Sequence, residues 1–356
     1  MVDRRRAALI EALGVIAPGQ HLRDGLDRIL QANKGALIIV GDGPDVLSIC
    51  SGGFLLDAEF SPQRLAELAK MDGAIILAAD ASRIARANVH LVPSPNVPTS
   101  ETGTRHRTAE RVARSIDVPV IAVSEDLSLI TMYRNDDKHV LESVARLLGR
   151  ANQALSTLER YRDRLDSVTS TLTASEVEDL VTVRDVVTVL QRAEMVRRIA
   201  EEIEGYVVEL GTDGRLVLLQ LEELMAGVED ERRQVVRDYA PGDEEDQAGE
   251  VVAELASLPT DRLLDPSVVA GLLLDTDSLD LDSGLQPRGY RLLSRLPRIP
   301  ESTVVAMVAR FGSLQKVMRS EVEDLQAIPG IDAAAARTIK DGLNRLAETT
   351  IFDRYS

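Results

Sequence analysis

Gly35-Ala36-Leu37-Ile38-Ile39-Val40-Gly41 is a five-residue apolar run closed by a glycine at each end. It is too short for a helix and has no polar residue, the pattern of a strand buried on both faces. The segments around it supply helices to cover such a strand. Arg4 to Ile16 places Leu9, Leu13 and Ile16 on one side and stops at Ala17-Pro18-Gly19; a second helix over Leu22 to Asn33 buries Leu22, Leu26, Ile29 and Leu30. Gly41-Asp42-Gly43-Pro44 is too short for a phosphate loop and reads as a hairpin turn into a strand over Val46 to Ile49. Ser61 before Pro62 is a helix start, serine as N-cap and proline at the first helical position, with Leu65, Leu68 and Ala69 inward.

Further along, Ala74 to Ala79 reads as another buried strand, and the prolines of Pro93-Ser94-Pro95-Asn96-Val97-Pro98 exclude a central one. Thr104 to Ser115 has helical spacing, with Ala109, Val112, Ala113 and Ile116 inward. Val118 to Val123 and Leu127 to Tyr133 are two strands joined by a Ser124-Glu125-Asp126 turn. The expectation for residues 1–138 is an α/β domain, a mixed sheet flanked by helices.

From Val140 the period becomes helical. Val140, Val144, Leu147, Ala151, Ala154, Leu158, Tyr161, Leu165 and Val168 step by three and four, a heptad seam that needs a partner helix from the same chain or another subunit. Further helical patterns follow, broken at Pro241-Gly242-Asp243-Glu244-Glu245-Asp246, so residues 139–285 read as an all-α spine without chemistry of its own. Residues 286–356 repeat a theme: Leu296-Pro297-Arg298-Ile299-Pro300 opens a helix through Val304, Val308 and Phe311, and Leu325 to Asp332 opens another through Ala336, Ile339 and Leu343.

No apolar run approaches the roughly 20 residues needed to cross a bilayer, and the basic start has no apolar segment behind it. One cysteine, Cys50, allows no internal disulfide, so the expected location is the cytoplasm, the nucleoid included. A net charge of -17 opposes wholesale nucleic-acid binding. The last 71 residues differ, with 11 Lys and Arg against 8 Asp and Glu, a local balance of +3. DNA contact is expected there.

The chemistry concentrates in Gly103-Thr104-Arg105-His106-Arg107-Thr108. A glycine freeing the backbone, a helix N-terminus with unpaired amides, two forked guanidiniums, an imidazole and two hydroxyls suit a polyanion. Met71-Asp72-Gly73-Ala74 sets a carboxylate at the mouth of a strand, a ligand for Mg2+ or Mn2+ if nucleotide phosphates complete the shell, with Glu125 as a second carboxylate. His21, His90 and His139 lack zinc-ligand spacing.

Asp72-Gly73-Ala74, a loop of about thirty residues, Gly103 to Thr108, and Val123-Ser124-Glu125 together resemble the two signature motifs and following strand end of diadenylate cyclase domains. Followed by a helical spacer and a helix-hairpin-helix pair, the order resembles the DNA-integrity scanning family over essentially the whole chain. The resemblance implies condensation of two ATP into cyclic di-AMP and two pyrophosphates. Asp72 would bind metal near the ribose 3′-hydroxyl, and Thr104, Arg105, His106, Arg107, Thr108 and Ser124 would hold phosphates. Gly73 and Gly103 belong to the two motifs, Leu91 would lie near the adenine, and Glu125 matches a metal-associated glutamate of membrane-bound relatives. A two-fold product needs two facing sites, and the family is a homo-octamer of opposed tetramers.

In the resemblance the last domain grips DNA, branched forms included, through hairpin amides and the next helix, here Gly330, Arg337 and Lys340. Asp332 stands where a second hairpin glycine is customary, and would either repel a phosphate or N-cap that helix. DNA contact is expected to lower cyclase output. The rival reading is a non-enzymatic scaffold that binds nucleotide and DNA junctions without turnover; a helix-hairpin-helix nuclease lacks the acidic cluster it would need.

Overall fold

The strand that opens the sequence argument, β1 (Ala36–Val40), is buried along its whole length. In the computed structural model, which describes residues 2–125, 127–242, 245–275, 280–297 and 299–355, it lies mid-sheet. Asp126 of the expected turn, Asp243 and Glu244 of the charged break, and Arg298 of the first hairpin lie outside these residues. The chain divides into two units, one of residues 1–153 and 202–220, the other of 154–201 and 221–356.

The first unit opens with α1 (Val2–Val15) and α2 (His21–Gln31), continues through β1, α3 (Pro44–Ser48), β2 (Cys50–Ser51), β3 (Phe54–Glu59), α4 (Pro62–Leu68), β4 (Ala74–Leu77), β5 (Arg83–Leu91), α5 (Thr104–Ser115), β6 (Val120–Ser124) and β7 (Leu129–Arg134), and reaches β8 (Asp137–Val140). The sheet order is β2-β5-β4-β1-β6-β7-β8, with β3 on β5. Among the described residues only β1 and β4 pair in parallel, Ile38 opposite Ile75. Because successive residues of β1 face opposite ways, Ile38 and Val40 pack with Leu26, Ile29 and Leu65 on one face, while Leu37 and Ile39 pack with Ala109, Val112 and Ala113 on the other. The mixed sheet flanked by helices is what the sequence led us to expect. Ser61 caps α4 as read, its hydroxyl accepting from Arg64 N at 3.2 Å.

Three local expectations need correction. Val46 to Ile49 is not a strand: α3 occupies most of it, started by Pro44 at its first turn, so Gly41 to Gly43 joins a strand to a helix and is no hairpin. β3 and β5 carry no regular period in the sequence, since left-handed residues at Asp57 and Asn88 and shifts of register interrupt their alternation. Val140 is exposed in β8, so the heptad seam begins inside α6 (Val144–Glu178), where Leu147, Ala151, Leu158 and Leu165 are buried.

After α6 come α7 (Val183–Leu210), α8 (Arg215–Met225), α9 (Val228–Tyr239), α10 (Glu245–Ser257), α11 (Thr260–Leu263), α12 (Pro266–Leu274) and α13 (Tyr290–Ser294), then α14 (Glu301–Phe311), α15 (Leu314–Arg319), α16 (Val322–Gln326) and α17 (Ala333–Tyr355). The last five share a core around Leu293, Met307, Val317, Leu325 and Ile339. A buried polar knot ties α13 to α6 and α9. Asp238 accepts from the amides of Gly289, Tyr290 and Arg291 at 2.6–3.0 Å. Arg291, fully buried, pairs with Glu176 and donates to Glu231 at 2.8 Å, while the Tyr239 hydroxyl donates to Glu176 at 2.7 Å. Losing Glu176 removes the bidentate partner of a buried guanidinium, which keeps Glu231 and Thr173, and takes the acceptor from the Tyr239 hydroxyl. Glu176→Ala should therefore destabilise the helical unit by about 3–5 kcal/mol, read as a lower urea midpoint in helical circular dichroism.

Candidate active site

The pairing of the strands collects the motif residues at one edge of the sheet. β4 runs with β1, so Asp72 and Gly73, just before β4, stand beside Gly35, just before β1. β6 runs against β1, with Val123 opposite Ala36, which brings Ser124 and Glu125 to the same edge. β5 runs against β4, Val89 opposite Ala74, and delivers Leu91. The N-terminus of α5 closes over this edge.

The result is a cleft of about 170 Å³ whose walls include Leu37, Asp72, Gly73, Leu91, Thr104, Arg105 and Thr108. Asp72 is 98% exposed, and Arg105 Nη2 donates to its Oδ1 at 3.4 Å. Such a long, wet ion pair is weak and leaves both groups available. The Arg105 guanidinium lies across Gly35, where any Cβ would collide with it. Gly73 is required by packing, since a Cβ would come within 2.5 Å of Asn88 backbone. Gly103 is the N-cap of α5 with φ -74°, a conformation open to any residue, and it offers no side-chain cap. The first-turn amides of a twelve-residue helix therefore meet the cleft uncapped, an arrangement that favours anions.

The other motif residues divide. Thr108 Oγ1 donates to the Thr104 carbonyl at 2.9 Å. Arg107 is exposed and stands outside the cleft lining. Ser124 Oγ accepts from Leu127 N at 3.3 Å, keeping its own proton to donate. Glu125 is 3.9 Å from Lys34. His106 turns towards the sheet: its Nδ1 is 2.8 Å from the Tyr133 hydroxyl, which donates to Glu101 at 3.0 Å, and Lys138 reaches Glu101 at 2.5 Å. Burial holds the His106 pKa below the ordinary imidazole value, against the pull of Glu101. Burial raises Glu101, but Lys138 and Tyr133 outweigh it and keep the carboxyl below its usual range.

Sequence reasoning missed Tyr133, Glu101 and Lys138, and also what fixes the loop before α5. Glu110, buried, accepts from the Thr99 hydroxyl and from Ser100 N at 3.0 Å; Arg111 donates to Val97 O at 3.0 Å and Arg114 to Pro98 O at 2.6 Å. A proline-rich loop without a ladder needs such outside partners. Charges at 110, 111 and 114, on the helix that also carries the arginine motif, were the available signal.

Among the described residues no group of three or more His, Cys, Asp or Glu is placed to hold an ion. One exposed hard carboxylate, Asp72, fits a cation whose remaining ligands come from phosphate and water.

In the second unit, Gly330 has φ +91° and open space around it, and Arg337 is exposed on α17. Lys340 is engaged: its ammonium donates to the Met318 and Ser320 carbonyls at 2.7 Å each, closing the end of α15. Asp332 Oδ1 accepts from Ala335 N at 2.7 Å, so it caps α17. No helix among the described residues is long and apolar enough to cross a membrane.

Comparison with known proteins agrees along the chain. Residues 23–138 match the DisA bacterial checkpoint controller nucleotide-binding domain, 141–278 the DisA bacterial checkpoint controller linker region, and 290–345 a SAM-like helix-hairpin-helix tandem. The DNA integrity scanning protein DisA of Frankia alni is 55% identical over 345 residues, 96% of each chain. That of Acidothermus cellulolyticus is 54% identical over 356 residues, 99% of this chain and 96% of the relative. A solved structure of a hypothetical membrane spanning protein from Bacillus cereus is 21% identical, covers 35% of this chain and 62% of its own, and superposes with a TM-score of 0.31. With near full-length identity above one half and all three regions matched in order, the chain belongs to the DNA integrity scanning protein DisA family and carries its diadenylate cyclase domain.

Proposed function

We propose that residues 1–138 join two ATP molecules into cyclic di-AMP, that 139–285 form a linker spine, and that 286–356 hold DNA. The observation that carries the cyclase reading is the meeting of Asp72, Arg105 and the uncapped N-terminus of α5 at one sheet edge. Attack of a 3′-hydroxyl on an α-phosphate needs in-line placement and neutralised charge. First-turn amides, Arg105 and the hydroxyls of Thr104 and Ser124 would take the phosphate oxygens, joined by Thr108 once its hydroxyl turns from the Thr104 carbonyl and by Arg107 reaching in from outside the cleft, and Leu91 with Leu37 would give the base an apolar wall. Asp72 would present one oxygen to Mg2+ or Mn2+, with Glu125 as a further carboxylate once released from Lys34. The ion, when bound, would offset charge on the reacting phosphate.

Each chain offers one such cleft, and the product is two-fold, so two copies would face each other within a homo-octamer. Exposed Phe54, Leu55 and Leu127 in the same unit give apolar surface for such assembly. A nucleotide-binding scaffold without turnover is the alternative, but phosphate binding alone has no use for a carboxylate placed against the cleft. Incubation with ATP and Mg2+ or Mn2+ should yield cyclic di-AMP by mass spectrometry, and Asp72→Asn should lower the rate about 100-fold or more while keeping its oligomeric state. A folded wild type giving no product would support the scaffold.

In the DNA module, the hairpin amides at Gly330 and the exposed Arg337 are the proposed phosphate contacts, and the expected ligand is branched DNA in the cytoplasm. Arg337→Ala should weaken binding evenly across sequences and reduce the salt slope by about 1. Lys340→Ala should act mainly on stability, by about 1.5–3 kcal/mol, because its ammonium serves two carbonyls inside the domain. Bound four-way junctions should lower cyclase turnover; unchanged turnover at saturating junction would refute that link.

A further inference from the structure

Resting on the reading of Gly103 to Thr108 as a phosphate site, we infer that Tyr133 is a positioning residue: it holds His106 in its Nδ1–H form with Nε2 bare, so that a phosphate bound at α5 draws a proton onto Nε2.

Lys138, Glu101, Tyr133 and His106 form one hydrogen-bonded chain in which each proton has one place to go. Lys138 lies 2.5 Å from Glu101 and keeps it ionised, and an ionised carboxylate only accepts. Tyr133, 3.0 Å away and 1% exposed, has a single proton to donate, and it goes to Glu101. The phenol oxygen must then accept from His106 Nδ1, 2.8 Å away. A neutral imidazole carries one N–H, so Nε2 has none. The opposite tautomer would need the phenol proton at His106, leaving two acceptors facing each other at Glu101. Ring stacking fixes the orientation, edge to face with Tyr133 at 66°. Cδ2, the atom bonded to Nε2, lies 3.8 Å from where a Cβ on Gly103, the N-cap of α5, would stand.

A phosphate oxygen arriving there brings lone pairs to a lone pair. The contact becomes a hydrogen bond only if Nε2 is protonated, and the bond then runs from an imidazolium to an anion, the stronger kind. The charges around the ring are Glu101 from the preceding loop, Lys138 from β8 and Arg105 from its own helix; Glu101 favours the charged form, and burial, Lys138 and Arg105 oppose it. The free site therefore holds a neutral ring near pH 7. Phosphate raises its pKa, and between the free and bound values binding takes up a proton.

Calorimetric titration of the full chain with α,β-methylene ATP and Mg2+ near neutral pH, in buffers of different ionisation enthalpy, reads that uptake directly. Wild type should approach one proton per site. Tyr133→Phe frees the neutral ring to carry its proton on Nε2, so uptake should be lost while affinity stays within a few-fold. Glu101→Ala reaches the same end without altering the core: with its acceptor gone the phenol donates to Nδ1, and uptake is again lost. Tight binding by wild type without proton uptake would overturn the inference, as would undiminished uptake in a folded variant. Absence of any binding by wild type would overturn the phosphate reading itself, and this inference with it.

Discussion

Parallel pairing of β1 with β4, beside antiparallel pairing of β1 with β6, is the constraint on which the rest of the active unit depends. It converts three segments far apart in sequence into one sheet edge. Asp72 and Gly73 arrive because β4 starts there, and Ser124 and Glu125 because β6 ends there. A one-residue slip of β4 or of β6 against β1 would turn buried Ile75 or Ile121 towards the opposite face. The two apolar cores, one per face, hold the register and hence the cleft.

Helix α5 contributes in a different way. Its first turn lacks a side-chain cap, which costs stability unless an anion or water takes the amides. Its middle repays this by anchoring the preceding loop through Glu110, Arg111 and Arg114. The open first turn and the loop leading into it are thus fixed by one rigid element, as a preorganised phosphate site requires. The arginine motif in turn splits by helical geometry: Thr104, Arg105 and Thr108 line the cleft, and His106 turns its Nδ1 edge to Tyr133 in the sheet.

Most of the architecture was legible because it rests on periodicity. The run Ala36 to Val40, the Ser61 cap and the span of α5 could be read residue by residue. β3 and β5 could not, because left-handed residues break their alternation and because β3 leaves Phe54 and Leu55 exposed. In the site, the motif pair was visible and its support was not. Tyr133 looks like any strand aromatic until the fold brings Glu101 and His106 to it, at separations of 32 and 27 residues. Lys340 has the look of a DNA contact in sequence, and only three dimensions show it closing α15.

The central claim is that α5 and Asp72 hold a nucleotide triphosphate between them. A crystal structure of the chain with α,β-methylene ATP and Mg2+ tests it most directly. Phosphate oxygens should lie on the first-turn amides of α5, with Arg105 moved from Asp72 onto phosphate and the base against Leu91. A triphosphate bound away from α5, with Arg105 still on Asp72, would contradict it.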